Sequence, residues 1–279
     1  MKINLAKSAG FCFGVRRAIN IALKAASSRY KIYMLGDIVH NEDVIKLIEK
    51  TGIKKINRLS NGKNKTLLIR AHGTSRKAID KAFALGYKII DATCPMVKDI
   101  HRIAQEMETK GYQIMIIGDK KHNEVHGIIG QLKRKAVVVN SLKHIPVKAI
   151  KKIKKAAVVV QSTQNLEKAI KIVDALKLYI PELKFFNTVC NPTRLKQEEI
   201  KRMPQENDVM IIIGSKTSAN TRRLYEIAKS LNRRSYWVQS KNDIKLKWFK
   251  TAEGVGVTAG ASTPDSTTEQ VIEYIKEII

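Results

Sequence analysis

Cysteine is scarce in this chain of 279 residues, which holds three. An odd, widely spaced set argues against a disulfide framework, and no C-x-x-C pair suggests a ribbon-type zinc site. Long apolar runs are missing too, so no segment is expected to cross a bilayer. The opening residues, Met1 to Gly10, lack the apolar core of a signal peptide, and a cytoplasmic location is expected. Aromatic residues make up only 6%. No basic stretch interleaved with aromatics appears, which argues against a nucleic-acid-binding protein. No G-x-G-x-x-G fingerprint sits at a strand–helix junction, so no bound flavin or nicotinamide is expected. Acidic residues are few, 25 against 52 Lys+Arg, for a formal net charge of +27. Such a balance attracts anions, but the excess is scattered, and a general lysine bias would produce it equally well.

What is present is alternation. Strand-like runs cover Lys31–Leu35, Thr66–Ile69, Lys88–Asp91, Gln113–Ile117, Ala136–Val139, Ala156–Val160, Val209–Ile213 and Gly254–Thr258. Helix-period segments such as Asn41–Lys50, Ser75–Leu85, Met96–Lys110, Leu166–Leu178 and Thr221–Leu231 lie between them. This pattern predicts an α/β fold with mostly parallel sheets and crossover helices, whose ligands bind at the carboxyl ends of strands.

The alternation repeats. Leu35-Gly36-Asp37-Ile38-Val39-His40 aligns without gaps with Ile117-Gly118-Asp119-Lys120-Lys121-His122 and with Ile213-Gly214-Ser215-Lys216-Thr217-Ser218. Cys12 to His40, Cys94 to His122 and Cys190 to Ser218 are each 28 residues apart. A second strand-end triplet follows in each repeat, read as Ala71-His72-Gly73, Gln161-Ser162-Thr163 and Gly260-Ala261-Ser262. Three similar α/β modules are expected, at 1–92, 93–187 and 188–279.

Each cysteine follows a strand-like run and precedes a helix, with Pro95 and Pro192 at early helical positions. A helix N-terminus favours thiolate, the metal-binding form. In a three-bladed ring the three thiolates would face one point. Soft thiolates select zinc, copper(I) or an iron–sulfur cluster, and three ligands on a four-iron cluster leave one iron open. His40, His72 and His122, with Ser218, Asn220 and Ser262, supply hydrogen-bond donors suited to a diphosphate. Glu124 is the natural proton source, since a carboxylate near a dianion should have a raised pKa. Ser162, Thr163 and Thr193 offer hydroxyls for a proton relay or for the substrate. A zinc hydrolase built on Cys, His and Glu is the competing enzyme reading.

With these residues in order, the chain resembles the 4-hydroxy-3-methylbut-2-enyl diphosphate reductase family, which acts last in the non-mevalonate isoprenoid route. The motifs are Gly10-Phe11-Cys12 with Gly14-Val15, Val39-His40-Asn41, Ala71-His72-Gly73, Asp91-Ala92-Thr93-Cys94-Pro95, His122-x-Glu124-Val125, Thr188-x-Cys190 with Thr193, Gly214-Ser215-Lys216 and Val257 to Ser262. The resemblance implies a pseudo-threefold trefoil of three modules around one [4Fe-4S] cluster held by Cys12, Cys94 and Cys190. It places diphosphate binding on His40, His72, His122, Ser218, Ala219, Asn220 and Ser262. The proton donor falls on Glu124, a substrate hydroxyl contact on Ser162 beside Thr163, and a further active-site threonine on Thr193. The implied reaction is reductive dehydroxylation, with the substrate hydroxyl on the open iron and isopentenyl and dimethylallyl diphosphate as products. An acidic carrier such as ferredoxin or flavodoxin is the expected electron source, and a monomer is expected. Asn123 stands where proline is usual, Lys196 where arginine is usual, Ser162 for a frequent threonine and Ala219 for a frequent serine.

Overall fold

The computed structural model describes residues 1–27 and 30–278. In chain order the elements are β1 (Lys2–Leu5), α1 (Phe13–Ala26), β2 (Lys31–Leu35), α2 (Glu42–Lys50), β3 (Lys54–Ile56), β4 (Lys65–Ile69), α3 (Arg76–Ala84), β5 (Lys88–Asp91), α4 (Pro95–Thr109), β6 (Gln113–Ile117), α5 (Asn123–Ile129) and β7 (Val137–Val139). They continue with α6 (Val147–Ile150), β8 (Lys155–Val160), α7 (Leu166–Lys177), β9 (Glu182–Phe185), α8 (Asn191–Glu206), β10 (Val209–Ile213), α9 (Ala219–Leu231), β11 (Ser235–Val238), β12 (Gly254–Ala259) and α10 (Asp265–Ile278). No helix among the described residues is long and apolar enough to cross a membrane.

The strands form three four-stranded sheets, ordered β3-β2-β4-β5, β7-β6-β8-β9 and β11-β10-β12-β1. Every pairing is parallel. The α/β expectation and the threefold repeat of sheets are both met. The strand pairs β2/β3, β6/β7 and β10/β11 each run from an inner strand out to one edge, and the chain then crosses to the other side, so a topological switch lies between β2 and β4, β6 and β8, and β10 and β12.

Two expectations need correction. β1 pairs with β12, so the N-terminal strand completes the third sheet rather than belonging with residues 30–92. Among the described residues the third repeat has no strand after β12, and β1 fills the place that β5 and β9 hold in the other two. The strand-end triplets also slip by one. Leu35 lies one step beyond the Met34–Leu68 pair, while Ile117 pairs with Val160 and Ile213 with Ala259. His72 therefore corresponds to Thr163 and Ser262, and Ala71 to Ser162 and Ala261.

By contact density the chain divides into two compact units. One comprises residues 1–16, 39–47 and 191–279, with the third sheet; the other comprises 17–38 and 48–190, with the first two. In the second sheet, pleat alternation sends Met115, Ile117, Val158 and Val160 against Ala169, Ile172 and Leu176 of α7. The intervening Ile114, Ile116, Ala157 and Val159 meet Ile100, Ala104 and Met107 of α4. Burial on both faces explains why these inner strands are unbroken Val/Ile runs. The edge strands β3, β9 and β11 carry Lys, Glu or Ser, as unpaired edges do, and their period is hard to read for that reason.

Candidate functional site

All three cysteines occupy one position in their sheets. The Cys94 amide donates to the Ala71 carbonyl at 3.0 Å, that of Cys190 to Ser162 at 3.0 Å, and that of Cys12 to Ala261 at 3.1 Å. Each bond ties the cysteine to the carboxyl end of the neighbouring inner strand. Each cysteine then opens a helix: Cys94 is the N-cap of α4 with Pro95 in its first turn, and Cys12 and Cys190 immediately precede α1 and α8. All three are half-buried, and none is in a disulfide.

In the unit built on the first two sheets, the candidate groups form a connected series. His72 follows Ala71, and its ring meets that of His122 edge-to-face, with centroids 5.4 Å apart. His122 caps α5: its Nδ1 accepts the Glu124 amide at 3.1 Å. That contact places the proton of the neutral ring on Nε2. Glu124 is buried, with 2% exposure. Its carboxylate accepts from the Ser162 amide at 2.6 Å and the Ser162 hydroxyl at 2.8 Å, and Ser162 leads back through its carbonyl to Cys190. The loop after β4 locks against the end of α5, where the Arg76 amide donates to Gly130 at 3.0 Å and the Gln131 amide group to Thr74 at 2.7 Å.

The other unit carries Cys12, His40, Thr193, Ser218, Ala219, Asn220 and Ser262. The Ser262 hydroxyl donates to the His40 carbonyl at 3.0 Å, and Ser215 donates to Glu42 at 2.8 Å. These bonds strap the His40 segment to the loops after β10 and β12. Ser218 caps α9, accepting the Thr221 amide at 3.3 Å. Ala219 and Asn220 form the first turn, a place where helix-start amides can receive an anion. Asn220 is buried, and its Nδ2 has no hydrogen-bond partner among the described residues. A buried donor left over in this way is costly unless a ligand takes it. Gly214, at φ +146°, leaves room for the Thr221 hydroxyl, which a Cβ there would meet at 2.7 Å. Thr193 is buried in the first turn of α8.

Two supporting residues escaped the sequence reading. Gln161 is wholly buried. Its side-chain oxygen accepts the Asp119 amide at 2.9 Å, and its nitrogen donates to Thr163 at 3.0 Å, joining the His122 loop to the end of β8. The repeat put Gln161 in view, but only as a neighbour of Ser162. His101 lies two helical turns beyond Cys94, under the backbone of Gly73, where a Cβ would meet its ring at 2.8 Å. Its seven-residue spacing from Cys94 was the available signal.

Burial holds the His101 imidazole at about 4, with Asp91 opposing the shift and Lys98 adding to it. An unfolded histidine takes its proton near 6.5, so between that pH and 4 the unfolded chain binds a proton that the folded chain refuses. Stability from this group is complete above about 6.5 and declines by roughly 2–3 kcal/mol as pH falls to 4. Urea midpoints of the apoprotein should drop over this range, and His101→Gln should flatten the drop. Equal slopes for both proteins would remove His101 as the cause.

The chain matches the model of the LytB protein family over residues 3–276. A relative from Aquifex aeolicus, 4-hydroxy-3-methylbut-2-enyl diphosphate reductase, is 40% identical over 99% of this chain and 96% of its own length. One of the same name from Helicobacter pylori is 40% identical over the whole of both. A solved structure of (E)-4-hydroxy-3-methyl-but-2-enyl diphosphate reductase, the terminal enzyme of the non-mevalonate pathway, is 39% identical, with a TM-score of 0.73 over 99% of this chain and all of that one. The Plasmodium falciparum reductase structure is 27% identical, with a TM-score of 0.88 over 97% of this chain and 86% of that one.

Proposed function

The chain belongs to the LytB family of 4-hydroxy-3-methylbut-2-enyl diphosphate reductases, and from that premise we propose that this oxidoreductase removes the hydroxyl of 4-hydroxy-3-methylbut-2-enyl diphosphate to give isopentenyl and dimethylallyl diphosphate. The carrying observation is the repeated cysteine amide bond to a strand-end carbonyl, made alike by Cys12, Cys94 and Cys190. One recurring position in three sheets is what a shared ligand set requires and what separate packing does not.

Cys12, Cys94 and Cys190 would hold one [4Fe-4S] cluster, and three soft thiol donors at helix starts fit that group. When bound, the cluster supplies single electrons and a Lewis-acidic iron for the departing hydroxyl. Two electrons and two protons balance the loss of that hydroxyl as water. The diphosphate is received by donors of the chain: Nε2–H of His122, with His40 and His72, Nδ2 of Asn220, the hydroxyls of Ser218 and Ser262, and the first-turn amides at Ala219 and Asn220. Glu124 holds the transferable proton. Ser162 fixes its carboxyl group through amide and hydroxyl, and the hydroxyl oxygen can pass a proton onward. Thr163, held by Gln161, and Thr193 complete the hydroxyl set. Three modules, 1–92, 93–187 and 188–279 with β1 lent to the third sheet, would each contribute one cysteine and one pair of strand-end loops.

Electrons come from an acidic carrier such as ferredoxin or flavodoxin, drawn to the net positive charge. We place the enzyme in the cytoplasm as a monomer.

Iron and sulfide analysis with electron spin resonance, after anaerobic purification, tests this reading. About four iron and four sulfide per chain are expected. A colourless protein with about one zinc per chain would mean a zinc hydrolase instead. Asn220→Asp sets a negative charge where the diphosphate is received, and KM should rise about tenfold or more with the fold intact. An unchanged KM would take Asn220 out of the binding set.

A further inference from the structure

Lys196 is a buried cation that the proposed chemistry does not use. It lies in α8 with 2% exposure, where lysine is rare. Its ammonium donates to the carbonyls of Ser8, of Gly10 at 3.0 Å and of Ala259 at 3.1 Å. One turn along the same face, the Glu199 carboxylate accepts the amides of Lys7 at 2.8 Å and Ser8 at 2.9 Å, together with the Ser8 hydroxyl. Burial works to raise the Glu199 carboxyl, but the Ser8 and Lys7 donors outweigh it, and with help from Lys196 they hold it below its ordinary value. A cation and an anion three residues apart on one helix thus grip opposite polarities of one short loop.

That loop, residues 6–10, joins β1 to Cys12. It turns at Gly10, φ +84°, where a Cβ would press on the Asp265 carboxylate. Ala259 ends β12, two residues before the Ala261 carbonyl that takes the Cys12 amide. Lys196 therefore touches both segments that locate Cys12. A hydrocarbon side chain would fill the same volume without the cost of burying charge. It could not hold three carbonyls at once.

We propose that Lys196 and Glu199 are positioning residues for Cys12, fixing the loop over residues 6–10 so that this thiol is presented ready to take up iron. This rests on the cluster reading given above. The charge at 196 acts on a ligand's backbone and not on substrate, so its loss shows first in the protein without iron.

The test uses full-length apoprotein under anaerobic conditions, alkylated with iodoacetamide and read cysteine by cysteine by mass spectrometry. The same proteins are then reconstituted and assayed for iron and sulfide. Lys196→Met should speed alkylation of Cys12 about tenfold or more, the scale set by losing hydrogen bonds to a charged group. Cys94 and Cys190 should react at the parent rate, and reconstituted iron should fall to half or less. Lys196→Arg keeps the charge and donors and should restore both readings. Glu199→Gln keeps Lys196 and should shift Cys12 in the same direction by a smaller factor. If Lys196→Met does not fold, Glu199→Gln carries the decision alone. Unchanged Cys12 reactivity in the folded variants overturns the proposal. Parent protein that takes up no iron overturns the cluster reading instead, while the alkylation rates still decide whether these residues position Cys12.

Discussion

Glu124→Gln is expected to keep its cluster and its grip on substrate and to lose turnover by roughly 10²–10⁴-fold, the usual contribution of a positioned general acid. The substitution is close to isosteric, and the site leaves little room for anything larger, since Glu124 is only 2% exposed. Glutamine can still accept one bond from Ser162 through its oxygen. It cannot carry a transferable proton, and its NH2 turns a second acceptor into a donor facing the Ser162 amide or hydroxyl. A modest loss of stability, about 1–2 kcal/mol, should accompany the change. Single-turnover assays with a chemical reductant isolate the protonation step from electron delivery. Normal turnover in this variant would remove Glu124 as the proton donor, whatever its contacts.

Cys94→Ser is expected to lose most of its iron and its turnover together, and Cys12→Ser and Cys190→Ser should behave alike. Serine preserves the backbone bond to the strand end and the start of the helix, so the fold should persist. What is lost is a soft, readily ionised donor, and a hydroxyl is a poor substitute for an iron cube. Each sulfur lies one residue or less from a helix start and is tied by its own amide to Ala71, Ser162 or Ala261. The three substitutions should therefore be equivalent, and that equivalence discriminates. If one cysteine were merely packed inside its module, its serine variant would keep full iron content. Iron per chain and circular dichroism on the three variants decide the matter, and one fully loaded variant would falsify a three-cysteine ligand set.

Much of the candidate site's layout is legible in the sequence because it is repeated. The 28-residue spacing from cysteine to His40, His122 and Ser218 survives as three equivalent loops, each at the carboxyl end of an inner strand. Ser162, expected from the resemblance to contact the substrate hydroxyl, is bonded to Glu124 through both its amide and its hydroxyl. Ser262, read as a diphosphate donor, also holds the His40 carbonyl. The sequence marks Lys196 only as a replacement for arginine and carries no sign of its burial among three carbonyls.

The linear order of residues was enough to determine the α/β class, the parallel inner strands and the cysteine-to-helix junctions. Those features follow from local periodicity, and from apolar runs that must be buried on both faces. Only the folded chain decided that β1 completes the third sheet, that His72 corresponds to Thr163 and not Ser162, and that Gln161, His101 and Lys196 support the loops around them. Each of these depends on a partner distant in sequence or on a sheet register, and a one-residue slip of register leaves the local pattern almost unchanged while exchanging which side chains meet.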